Sequence, residues 1–256
     1  MQRIDPEYLK RTAESKEVRA LKARGYDLLQ LKPGGKVIDV GCGPAIDTIP
    51  LARLVGPTGL VVGVDADPAM VAEANQLAFS GSVGAFTSHI VGNATSLPTN
   101  PREFDACYCE RVLQHIPWSL NFDVVREMTR VTRPGGRIVI VDTDWATLSI
   151  AAQDPLLERR VAAEHALFFA NPFSGRYLLA LAHSAGLTVV SVQTIALQLS
   201  FEALDYLLQP ALQNAVRNGR LGVQEVQCWR GDMCAARDYG LFFAHVSTVM
   251  LTAENR

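Results

Sequence analysis

The chain has 256 residues, 48% of them hydrophobic and 20% charged, with a net charge of −2. That suffices for one packed domain with elaborations, and the near-neutral balance lacks the basic footprint that nucleic-acid binding requires. The five cysteines are odd in number and fall partly in apolar runs, which argues against a disulfide framework and for a reducing, cytoplasmic setting. The polar opening MQRIDPEYLK has no apolar core of signal type, and no run is long enough for a membrane span.

Residues 1–32 read as a helical lid, with Val18, Leu21, Tyr26, Leu28 and Leu29 forming the apolar face of a helix over 17–31. Pro33-Gly34-Gly35 ends it and launches a first strand over 36–40. A helix over about 45–55, bent or delayed by Pro50, leads to a second strand over 60–64 that closes on Asp65. Further helices are expected over 69–79 and 122–131, with strands over 89–91, 104–109 and 137–141. Beyond them come helices over 155–170 and 177–185, a sixth strand over 187–199, helices over 201–218 and 224–237, and a seventh strand over 241–251. Strands alternating with helices at this spacing predict a doubly wound, seven-stranded, mostly parallel α/β sheet. Residues 36–145 would form its ligand-binding core, with helical insertions over 146–186 and 200–238 capping a substrate.

The polar residues Asp39, Asp65, Asn93, Glu110 and Asp142 all fall at predicted strand ends, where open α/β sheets bind ligands. Gly41 and Gly43 let backbone approach a ligand closely, and the helix that follows aims its N–H groups at the turn. A dinucleotide site needs Gly or Ala where this chain has Ile46, and no Gly-Lys-Ser/Thr follows to make a P-loop. Asp39 would repel a pyrophosphate but suits a ligand bearing cationic groups.

The stretches VIDVGCGPA, GVDADPAMV, GNATSLP, FDACYCERVLQHI and RPGGRIVIVDTDW, in this order and spacing over 36–145, resemble class I S-adenosylmethionine-dependent methyltransferases. The small-molecule branch, with the ubiquinone, menaquinone and natural-product enzymes, is the most similar. The resemblance implies a Rossmann-like fold with S-adenosyl-L-methionine as cofactor. Asp39, Gly41, Cys42 and Gly43 would line its methionine half, and Asp65 would accept hydrogen bonds from its ribose. Ala66 and Met70 would border the adenine, Asn93 and Ala94 would meet its amino group, and Glu110 and Arg111 would run along it near the sulfonium. Ala45 replaces the family's usual third glycine, and Asn93 its usual acid. A helix N-cap is the structural alternative for Asp65, and simple packing is the alternative for Cys42.

His115, Asp142 and Asp144 are the candidates for catalysis, the two aspartates sharing one face of a strand end. His165, Phe169, Phe173, Arg176, Tyr177 and Trp229 are the candidates for an acceptor wall. The partner would be a small, partly aromatic or quinone-like acceptor, with no nucleic acid, no metal and a homodimer as the assembly to look for. Two other readings remain: a catalytically silent cofactor-binding partner subunit, and a nicotinamide-dependent oxidoreductase.

Overall fold

The computed structural model describes residues 6–256, so the first five residues of the expected lid lie outside it. The helix expected over 17–31 is α2 (Lys16–Leu28), and a further helix, α1 (Pro6–Ala13), precedes it. Ser15 separates them and caps α2 by accepting from the Val18 N–H. Then follow β1 (Lys36–Val40), α3 (Thr48–Val55), β2 (Leu60–Asp65), α4 (Pro68–Ser80), β3 (Thr87–Val91) and β4 (Phe104–Glu110). Helix α3 starts late, at Thr48, in line with the delay expected from Pro50, whose missing N–H is not needed in this first turn. Residues 45–47, expected to be helical, form the turn before it.

The later half comprises α5 (Trp118–Val131), β5 (Thr132–Ile150), α6 (Pro155–Ala166), α7 (Ser174–Ser184), β6 (Thr188–Gln198), α8 (Phe201–Arg217), α9 (Val223–Asp238) and β7 (Ala244–Glu254). The sheet order is β3-β2-β1-β4-β5-β7-β6, parallel except that β7 runs antiparallel to both neighbours. β5 is far longer than the expected 137–141. Its apolar continuation Trp145, Leu148 and Ile150 extends past a bulge after Asp144 and stays paired with β7.

Three apolar cores result. One lies between the sheet and α5 and α7, built from residues such as Ile138, Val125, Met128, Leu178 and Leu251. A second lies on the opposite face beneath α2 and α3, with Leu21, Leu51, Val55, Tyr108 and Met250. The third joins the extended ends of β5, β6 and β7 to α6, α8 and α9 through Trp145, Leu148, Val161, Leu204, Leu208 and Trp229. Because α7 packs on the sheet, the expected 146–186 insertion divides: α6 belongs to this cap and α7 to the main body. Among the described residues no helix is long and apolar enough to cross a membrane.

Candidate functional site

The turn after β1 folds back onto the end of β2. The N–H groups of Gly41 and Cys42 both donate to the Val64 carbonyl, at 2.7 and 3.1 Å. Gly41 (φ 76°), Gly43 (φ 50°) and Ala45 (φ 65°) all take the left-handed backbone region. At Gly41 no side chain fits, since a Cβ there would sit 2.2 Å from Val112 Cγ2. Ala45 is buried in a conformation that costs an L-residue about 1–2 kcal/mol, a physical reason for the family's usual glycine. Cys42 turns inward, so that a Cβ on Gly63 would meet its Sγ at 2.8 Å. Burial and the nearby Asp39 push this thiol well above its ordinary pKa, which makes it a packing residue with only its backbone at the turn.

This fold-back brings Asp65 to the turn. Its Oδ2 accepts from the Gly43 N–H and its Oδ1 from the Asp67 N–H, each at 2.9 Å. The carboxylate is partly exposed and each oxygen keeps a free lone-pair direction. Asp67, not Asp65, caps α4 by accepting from the Ala69 N–H. Ala66 is exposed beside it, and Met70 is buried in the first turn of α4. Asn93 departs from expectation. Its Oδ1 accepts from both the N–H and the hydroxyl of Thr95, each at 3.0 Å, so this oxygen serves its own tight turn rather than a ligand amino group. Ala94 packs against the main core.

A buried ionic network underlies the turn. Lys22 from α2 holds both oxygens of Asp47, at 2.7 and 2.8 Å, and reaches Glu110 at the end of β4, at 2.9 Å. The Tyr26 hydroxyl donates to Asp47 at 2.6 Å and the Tyr108 hydroxyl to Glu110 at 2.6 Å. Arg111 closes the set, 3.2 Å from Glu110. Gly25 lets α2 come this close, because a Cβ there would lie 3.0 Å from the Tyr108 ring. Burial alone would raise Glu110, yet Lys22 and Arg111 outweigh it and hold the carboxyl below its usual value. Among the described residues Asp39 has no such cation in contact. Thr48 donates to it at 2.9 Å, while burial and neighbouring Asp47 raise it well above the carboxylate range. Lys22, Tyr26, Asp47, Thr48 and Tyr108 all escaped the sequence reading. The available signal was a lysine on the buried stripe of α2, beside Val18, Leu21 and Gly25.

Three carboxylates (Asp39, Asp47, Glu110) thus face two cations (Lys22, Arg111). Among the described residues Asp39 is the carboxyl of this set left without a cation contact, and a ligand end that carries ammonium and sulfonium groups at the backbone-lined turn would favour its ionised form, while Asp65 fits its ribose. S-adenosylmethionine meets both requirements.

At the ends of β4 and β5 the aromatic residues separate into groups. His115, Phe169, Trp145 and His165 come together: Trp145 and Phe169 stack at 4.8 Å, and His165 stands edge-on to both, at 4.7 and 5.3 Å. His115 lies 5.7 Å from Phe169. Burial lowers His165 to about 4, and burial with the Arg111 charge does the same to His115. Phe173, Arg176 and Tyr177 do not join them. Arg176 lies over the Phe173 ring, and Tyr177 rests on Trp118 with all three aromatic side chains well exposed. Trp229 is buried in the cap core, where it lines a small cavity with Phe201, Leu208 and Met233.

The aspartates are corrected too. Asp142 is fully buried and accepts from the N–H groups of Leu113, Gln114 and Thr143 and from the Ser174 hydroxyl. Burial pushes it up to about 6, but with its oxygens filled it braces the segment after β4 and cannot act as a base. Asp144 is held bidentate by Arg176 at 2.6 and 2.8 Å, an ion pair that fixes α7 to β5.

Residues 37–136 match the methyltransferase domain family. Over 252 residues the chain is 32% identical to an uncharacterized 37.1 kDa protein in transposon TN4556 of Streptomyces fradiae, covering 96% of this chain and 70% of that protein. Over 122 residues it is 35% identical to a demethylmenaquinone methyltransferase of Bacillus cytotoxicus, spanning 47% of this chain and only half of that relative. A geranyl diphosphate C-methyltransferase from Streptomyces coelicolor, solved with geranyl diphosphate and S-adenosyl-L-homocysteine, shares the fold. The TM-score is 0.61 at 16% identity, covering 95% of this chain and 84% of that one. These matches support the expected S-adenosylmethionine reading over the nicotinamide alternative: the chain carries a methyltransferase domain of the class I S-adenosylmethionine-dependent kind.

Proposed function

We propose that the chain methylates a small, planar acceptor of phenol or quinol type, bound between the cofactor turn and the cap. The observation that supports this acceptor is the aromatic group of His115, Phe169, Trp145 and His165 at the ends of β4 and β5. Val112, against Gly41, links this group directly to the cofactor turn. The menaquinone-type relative acts on a molecule with such a ring.

S-adenosylmethionine supplies an already activated methyl group when bound. The work left to the protein is positioning and exclusion of water. Asp65 and the turn at 41–45 orient the cofactor, while Asp39, ionised when the cationic ligand is present, answers its charge. Asp142 and Gln114 hold the segment that carries His115 against β5. We assign α1 and α2 the role of closing the cofactor side. Leu9 of α1 lies over the turn, 3.9 Å from where a Gly43 Cβ would be, and Lys10 pairs with Glu73 of α4. The cap of α6, α8 and α9 would close the acceptor side.

The test is transfer of labelled methyl from S-adenosylmethionine to 1,4-dihydroxynaphthalene, a quinol head group without a tail. Labelled product is expected. Absence of product from a chain that binds the cofactor would overturn the acceptor class.

A further inference from the structure

We infer that His115 is a neutral hydrogen-bond donor to the acceptor oxygen, its tautomer set by a relay from Trp145 through Gln114. The inference deepens the methyl-acceptor reading above and rests on it. An indole N–H can only donate. Trp145 Nε1 meets the side chain of Gln114 at 2.8 Å, which fixes that amide with Oε1 toward the indole. The amide nitrogen, which carries only donors, then faces His115 Nε2 at 3.0 Å. His115 Nε2 must therefore accept, and the single proton of the neutral ring sits on Nδ1. An imidazolium would set two donors against each other across this contact.

Nothing in the surroundings lets the relay turn round. Gln114 is buried, its N–H is drawn to Asp142 Oδ2 at 3.3 Å, and its carbonyl accepts from the Asn171 N–H at 3.0 Å. Asn171 is itself tied to Asn121 at 2.9 Å. Trp145 is clamped by Phe169 and His165, and its backbone N–H donates to the Pro172 carbonyl. The groups around His115 are Arg111, Gln114 and Phe169, and burial with the Arg111 charge keeps the imidazole neutral, with a pKa near about 4. Among the described residues no group meets Nδ1.

A fixed Nδ1–H with no partner among the described residues is suited to an oxyanion and unsuited to removing a proton. The phenol or enol gives its proton to solvent and enters as the anion, which the His115 N–H stabilises. Its electron pair then forms the bond to the methyl carbon while the carbon–sulfur pair stays on sulfur. His115 is thereby a catalytic residue, whereas Gln114 and Trp145 are positioning residues.

The experiment begins with long-range proton–nitrogen correlation spectra of the full chain carrying labelled histidine. A His115→Gln variant assigns the signal. The expected pattern is a neutral Nδ1–H ring from about pH 6 to 8, lost to the Nε2–H form or a mixture in Trp145→Phe, with the signal of His183 on α7 unchanged. A proton on Nε2, an imidazolium at neutral pH, or an unaltered pattern in Trp145→Phe would overturn the relay. On 1,4-dihydroxynaphthalene, His115→Asn keeps a donor and should hold kcat within about tenfold. His115→Leu should lower it by about 10²–10³ with the KM for cofactor unchanged. Equal losses in both variants would overturn the donor role. No turnover by the unaltered chain would overturn the acceptor class instead, and the spectra decide the relay independently of it.

Discussion

The cofactor half of the molecule and the cap solve opposite problems. Around the turn at 41–45 the chain keeps charge inside: Lys22, Asp47, Glu110 and Asp39 are all buried, three residues stand in left-handed backbone, and the strands end in carboxylates. In the cap the interior is largely apolar, built from Leu148, Val161, Leu204, Leu208 and Trp229; most charge stays outside in pairs such as Arg160–Glu225, Arg220–Glu164 and Arg230–Asp205, and the buried Glu158 of α6 is held by Arg159 and the Ile150 N–H. One region holds chemistry at the cost of stability; the other supplies shape. They meet at Trp145, whose ring belongs to the cap core and whose N–H reaches Gln114 on the cofactor side.

Substitutions should separate the two regions cleanly. Trp229→Ala empties the centre of the cap and should cost about 3–5 kcal/mol in denaturant unfolding, with cofactor affinity little changed. A parallel loss of cofactor binding would mean the regions are not independent. Lys22→Met strands Asp47 and Glu110 without their cation and should also cost about 3–5 kcal/mol. Here cofactor affinity in calorimetry should fall as well, because Asp47 leads into the cofactor turn. Asp39→Asn should split the two properties in opposite directions. The folded chain raises this carboxyl, so its ligand-free stability is greatest below the unfolded pKa and declines as pH rises through the raised folded value. The variant should flatten that decline and melt higher near neutral pH, while binding S-adenosylmethionine more weakly; a lower melting temperature would contradict the burial argument. Arg160→Ala should have the smallest effect, leaving the unfolding midpoint unmoved, because it removes a solvent-screened exposed pair in the cap.

The sequence made the cofactor side legible because its chemistry is local. Gly41, Gly43 and Asp65 sit at fixed offsets from strand ends, and strand ends are readable from apolar runs and turn residues. The ionic network was hidden because Lys22, Asp47 and Glu110 lie on three elements, and only the packing of α2 over Tyr108 brings them together. Asp142 and Asp144 were read from their strand position alone, yet the donors that fill their oxygens come from Leu113, Ser174 and Arg176, far along the chain. The aromatic residues at 165–177 were grouped by proximity in sequence. His165, in the last turn of α6, and Phe169, just past its end, both face Trp145, but the break at 167–173 resets the helical phase, so Phe173 and Tyr177 face outward.

The central claim is that the turn at 41–45 and Asp65 together hold S-adenosylmethionine. Calorimetric titration of the full chain and of Asp65→Ala with this cofactor tests it most directly. One-to-one binding by the chain is predicted, weakened about a hundredfold in the variant by loss of charge-assisted hydrogen bonds to the ribose. Equal affinity in both, or no heat of binding at millimolar cofactor, would contradict it.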